Sequence, residues 1–181
     1  TVDVYVGTTK VLTTAAITFY GTLATLKVTQ DKSVVAKNTA SASALTISGL
    51  DAEGTAVPLA DDTIVGTSSD TTVVLSKVNA DDAVTSGVLT LQVVGANDLT
   101  TTSGRTATIT WKYLISGTTY TPEVVTTFAI GGAMNTVKIA LDDTNYAPGA
   151  LVTATITATD ASGNASADAA VIAANGLSSS L

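Results

Sequence analysis

The chain has no cysteine and no histidine, so it has no disulfide, no Cys nucleophile, no Ser-His-Asp triad and no ordinary zinc site. A protein of this size folds without disulfides if its core is adequate, so the missing cysteines leave the compartment open. Aromatic residues are 4% of the chain and proline occurs three times. Charged residues are only 13%, and the formal net charge is −7. The eight basic residues are scattered, which disfavours nucleic acid and anionic lipid, both of which need clustered Lys and Arg. No run approaches the roughly eighteen apolar residues of a membrane-spanning helix. Thr1 does not open a signal peptide, so the chain reads as a processed or clipped product.

What is present is β-branched and small. About one residue in five is threonine, and Thr and Val suit a pleated surface. Hydrophobic residues reach 45%, enough for one large or two small cores. The pattern has period two. In residues 106–113, Ala107, Ile109, Trp111 and Tyr113 share one face, while Thr106, Thr108, Thr110 and Lys112 share the other. Leu89, Leu91 and Val93 repeat this, as do Val137, Ile139 and Leu141, and then Ala154, Ile156 and Ala158. Turn signals at residues 51–54, 103–104, 116–117, 148–149 and 160–164 separate the runs. Strand spacings of about eight to twelve residues suggest a sandwich. The Ala-rich residues 165–175 could form a short helix, but they lack large apolar residues at helical spacing.

The chain also resembles itself. Displaced by about 111 positions, residues 28–57 align with the stretch that begins at Ile139. Lys27-Val28 falls on Lys138-Ile139, Asp31 on Asp142, Thr46-Ile47 on Thr155-Ile156, and Asp51-Ala52 with Gly54 on Asp160-Ala161 with Gly163. The earlier copy carries two extra residues. There Ala40, Ala42 and Ala44 keep one phase and Leu45 and Ile47 take the other, as a β-bulge would produce. Upstream, Gly21 falls on Gly132. Residues 1–21 then correspond to the terminal strands of a preceding or shared domain, residues 22–132 to one complete domain, and residues 133–181 to the first strands of a further one. The head and tail together lack a counterpart of residues 71–111. The expectation is a chain cut out of phase with its repeat, continued by more polypeptide or completed by a neighbouring subunit's strands.

Asp143, Tyr146-Ala147-Pro148-Gly149, Val152-Thr153, Thr155-Ile156-Thr157-Ala158 and Asp160-Ala161-Ser162-Gly163-Asn164 form a motif that resembles bacterial immunoglobulin-like repeats of S-layer proteins and invasin-type adhesins. The first copy has Lys37-Asn38 where the motif has Pro-Gly. The resemblance implies an all-β fold of tandem immunoglobulin-like β-sandwiches in an extracellular, cell-surface protein.

Little chemistry competes with that reading. Three carboxylate pairs, Asp61-Asp62, Asp81-Asp82 and Asp142-Asp143, could in principle act on a sugar, but neighbours on a strand point to opposite faces. The expectation is that the protein is not an enzyme. Calcium is the one cofactor the acidic turns suggest, with Asp142, Asp143, Asp160 and Asn164 as candidate ligands at a domain junction. Asn164-Ala165-Ser166 is a glycosylation sequon, and a cell-surface glycan is a further candidate partner. Trp111, Tyr113 and Tyr120 cluster, but the strand phase of Trp111 puts it in a core rather than on a sugar-binding platform. The expected function is a self-associating S-layer, sheath or fibre subunit that forms a homo-oligomer or lattice through sheet edges and apolar faces. An adhesin stalk or a phage or virion surface module is the alternative.

Overall fold

The computed structural model describes residues 3–13, 18–75, 81–96, 102–116 and 119–167. All its regular elements are strands. A central sandwich is flanked by two hairpins. The first sheet runs β3 (Thr25–Gln30), β5 (Ala40–Leu50), β10 (Val88–Gly95) and β8 (Val74–Leu75), with β6 (Ala56–Val57) on β5 and β9 (Asp81–Thr85) on β10. The second runs β4 (Val34–Ala36), β12 (Thr119–Gly131), β11 (Thr106–Ser116) and β7 (Ile64–Ser68). Within it β4 pairs with β12 in parallel and the other neighbours are antiparallel.

Period-two sequence becomes period-two burial. Leu89, Leu91 and Val93 are buried from β10, and Ala107, Ile109 and Trp111 from β11. They meet Leu45, Ile47, Ile64, Phe128 and Ile130 in one core, with Tyr113 and Val124 packed at its margin. Trp111 is a core residue. Its indole Nε1 donates to Thr126 Oγ1 at 2.8 Å, which satisfies the one polar atom the ring carries inside. Its ring lies over Gly66, its cross-strand partner on β7, where a side chain would have met it.

The bulge in β5 is present, with one correction. From Leu91 to Val93 on β10, the pairing passes from Leu45 to Ser41 on β5, which carries two more residues over the same step. Ser43 takes a left-handed φ of 50° there. The inward residue beyond the bulge is therefore Ser41, while Ala40 and Ala42 are exposed.

The tail hairpin, β13 (Thr136–Leu141) with β14 (Ala154–Thr159), repeats the β3–β5 pair strand for strand. Val28 pairs with Ile47, and Ile139 with Ile156. Ala24 N donates to Leu50 O as Asn135 N donates to Thr159 O. Lys37-Asn38 does stand in for Pro-Gly: Asn38 (φ 52°) and Gly149 (φ 83°) share the left-handed region, which Asn tolerates better than most residues. Ala165 bridges Thr159 as Ala56 pairs with Leu50, so residues 165–167 are extended rather than helical, and residues 168–175 lie outside the described residues. At the head, β1 (Asp3–Val6) and β2 (Thr9–Thr13) form an antiparallel hairpin whose Val6–Thr9 pair matches Ser116–Thr119 at the β11–β12 turn.

Candidate functional site

Two features are candidates: the turns in which an aspartate clasps the preceding chain segment, and the apolar faces that the flanking hairpins leave open.

The clasps are built on aspartate. After β5 the chain turns through residues 51–55, and the buried Asp51 side chain folds back over its own loop. Its Oδ1 accepts from Glu53 N at 3.1 Å and Thr55 N at 2.7 Å, an Asx-type turn closed by left-handed Gly54. Its Oδ2 reaches across to the preceding segment and accepts from Gly21 N at 2.8 Å. Asp160 does the same after β14. Oδ1 accepts from Ser162 N at 2.9 Å and Asn164 N at 3.1 Å, and Oδ2 accepts from Gly132 N at 3.0 Å. Gly163 takes the same left-handed φ as Gly54. Donors converging on a carboxylate favour its charged form. The Gly21 amide foremost holds Asp51 below its ordinary range, and the Ser103 hydroxyl foremost does so for Asp160.

The second clasp reaches further. Asn164 Nδ2 donates to both Ser103 O and Ser103 Oγ, each at 3.0 Å, and Ala167 N donates to Gly132 O at 3.1 Å. Gly104 sits against Asn164 with φ 86°, and a Cβ there would lie 2.8 Å from the Asn164 amide. The sequon asparagine thus already uses the nitrogen that a glycan would occupy.

The four calcium candidates do not share a site. In the antiparallel β13–β14 pair, Asp142 and Asp143 follow the end at Leu141, and Asp160 and Asn164 follow the opposite end, where Thr136 pairs with Thr159. Six residues of extended strand separate the two ends, roughly 17 Å. Asp142 Oδ1 accepts from Tyr146 Oη at 2.6 Å and Thr153 N at 3.1 Å, and the tyrosine bond foremost lowers its pKa. Burial, followed by that carboxylate, raises the pKa of Tyr146. Among the described residues no group of three or more His, Cys, Asp or Glu is placed to hold a metal ion. Of the carboxylate pairs, Asp61-Asp62 forms an exposed turn, with Asp62 at φ 57°. Asp81-Asp82 begins β9, with side chains outside the described residues, as is that of Tyr120. A cleft of about 470 Å³ between the central sandwich and the tail is lined by Lys32, Lys37, Ser41, Gly132 and Ala167 among others, and by no aspartate.

The open faces follow from the repeat. Leu26 and Val28 of β3 pack on the central core, and Ile47 is fully buried. Their tail counterparts are exposed: Val137 by 39%, Ile139 by 50% and Ile156 by 43%, with Leu141 beside them at 54%. Val4, Val6 and Leu12 expose a smaller apolar face on the head hairpin.

Fold and site together define an all-β protein with a central sandwich, flanking hairpins and aspartate-clasped turns. Neither a protein-family model nor a curated protein matches the chain. Among solved structures it is similar to the S-layer protein rSbsC(31-844), at 21% identity over 82% of this chain and 17% of that one, with a TM-score of 0.44. It is also similar to domains 4-9 of the surface layer protein SbsC, at 21% identity over 80% of this chain and 21% of that one, with a TM-score of 0.41. The chain spans about a fifth of the length of these proteins. No helix is long and apolar enough to cross a membrane among the described residues.

Proposed function

We propose that this is a structural, non-catalytic protein of an extracellular surface layer, built from immunoglobulin-like units that associate through their open faces. On this reading residues 22–132 are one complete unit, residues 1–21 end a preceding or shared one, and residues 133–181 begin another. The observation that carries it is the exposed face of Val137, Ile139, Leu141 and Ile156, in the register that packs Leu26 and Val28 against the central core and buries Ile47 in it.

The energetics favour many contacts over one. Full burial of such a side chain contributes about 1.5–3 kcal/mol, and these four have roughly half of that left, so the face offers about 3–6 kcal/mol. Bringing two molecules together costs about 4–15 kcal/mol. A single face therefore does not hold a dimer, whereas several faces closing together in a lattice do.

Sedimentation and negative-stain microscopy of the full chain test this. Assemblies that disperse in Ile139→Asp and Ile156→Asp variants, with Trp111 fluorescence unchanged, support it. A monomer at all concentrations, with a rod-like shape, would favour the adhesin-stalk alternative, to which the in-line clasps also lend themselves. Co-purification with capsids or tails would favour a virion module.

A further inference from the structure

The two clasps share their aspartate and their glycine, but the residues around them differ in hydrogen-bonding capacity. Asn164 carries an amide that donates both its hydrogens to Ser103. Thr55 stands at the same turn position and has no side-chain amide. Its hydroxyl turns inward to Asp51, taking the place that Ser103 holds beside Asp160. Two residues further on, Ser166 N and Ala167 N bond Ala158 O and Gly132 O. The strand partnership of Val57 with Gly49 puts Pro58 in the position of Ala167. Proline has no N–H, so the bond from Ala167 to the linker glycine has no counterpart at the first junction.

We infer that the two junctions are mechanically unequal: Asn164, Ala167 and Ser103 latch the tail unit to the central sandwich in one orientation, whereas the Asp51 junction is a pivot held across the boundary by the Gly21 amide. Asn164 is the residue that specifies the latch. It reads a Ser-Gly loop on the preceding unit, and Gly104 admits it because only a residue without a Cβ leaves room there. A turn ending in threonine and followed by proline cannot make the same contact whatever unit precedes it. A clasp of the Asp160 type thus transmits orientation along an array, and one of the Asp51 type absorbs curvature. The inference rests on the hydrogen bonds of this chain and holds whether or not the open faces assemble.

The absence of native cysteine makes the test clean. Spin labels at Thr67→Cys and Thr157→Cys report the tail junction, and labels at Thr9→Cys and Thr67→Cys report the head junction, all at exposed positions. Pulsed dipolar spectroscopy of the full chain is expected to give a narrow distance distribution for the 67–157 pair and a broad one for the 9–67 pair. Asn164→Thr combined with Ala167→Pro gives the tail the first junction's chemistry and is expected to broaden the 67–157 distribution to the width of the other. Ser103→Ala removes the hydroxyl that accepts from Asn164, leaves the Asn164 bond to the residue 103 carbonyl and the tail sequence intact, and is expected to broaden it part of the way. Equal widths in the unsubstituted protein would overturn the inference. So would a 67–157 distribution that stays as narrow in both variants as in the unsubstituted protein.

Discussion

Asp51 and Asp160 hold matching sets of three backbone donors: two amides of their own turn on Oδ1, and on Oδ2 the amide of a glycine in the chain segment before the hairpin. Each carboxylate is buried, yet neither has a cation partner among the described residues. Oriented backbone N–H groups supply the compensation that burial of a charge demands. The aspartate therefore serves as a staple between chain segments about thirty residues apart.

Removing the staple leaves those amides without acceptors in a poorly hydrated place, which costs more than the bonds contributed. Asp51→Ala is expected to lower the melting temperature of the central sandwich by on the order of 10 °C, read by Trp111 fluorescence. Asp160→Ala is expected to leave that transition nearly unchanged and to increase proteolysis after Gly132. Equal effects of both substitutions on the Trp111 transition would contradict this division.

Acid should weaken both clasps. The folded pKa of each aspartate lies below its ordinary 3.8, so the folded state binds fewer protons than the unfolded state there. The stabilisation is fully present above about pH 4 and disappears as the pH falls through the lower, folded pKa. Urea unfolding between pH 2 and 7 is expected to show an acid limb that is shallower in Asp51→Asn. An unchanged limb in that variant would assign the acid sensitivity elsewhere.

The strands were legible in the sequence because burial alternates with the pleat: Ala107, Ile109 and Trp111 could be placed inside from spacing alone. The repeat was legible too, but Lys37-Asn38 read as a departure from Pro-Gly, and only the backbone shows Asn38 in the left-handed region of Gly149. The phase beyond the bulge was not, because two extra residues and a left-handed Ser43 turn Ser41 inward against hydropathy. The grouping of Asp142 and Asp143 with Asp160 and Asn164 failed for a topological reason. An antiparallel hairpin sends residues flanking its two strands to opposite ends. The clasp was only half visible. Asp51 reads as a turn former, but its bond to Gly21 depends on tertiary contact that no local pattern encodes.

Trp111 and Gly66 make a sharper test of the core. A Cβ at residue 66 would lie 2.7 Å from the indole Cζ3 and 3.2 Å from Ile109 Cγ2. Neither neighbour can yield, since both are fully buried and the indole is tethered to Thr126. Gly66→Ala is expected to destabilise the sandwich by about 1–3 kcal/mol through overpacking, with a red shift of Trp111 emission as the ring is pushed toward solvent. A stability within about 0.5 kcal/mol of the parent would show that the β7–β11 pair relaxes freely.

The linker glycines should respond unequally to one added methyl group. At Gly21 a Cβ would sit 3.5 Å from Asp51 Cβ, an ordinary contact. At Gly132 it would sit 3.0 Å from both Cβ and Oδ2 of Asp160. There the turn is pinned by Asn164 on Ser103 and by Ala167 on the glycine's own carbonyl, so it has little room to retreat. Gly21→Ala is therefore expected to leave hydrogen exchange at the Glu53 and Thr55 amides unchanged. Gly132→Ala is expected to raise exchange at the Ser162 and Asn164 amides by about tenfold or more, the mark of a clasp opened by something over 1 kcal/mol. The opposite order would mean that the first junction is the more tightly packed of the two.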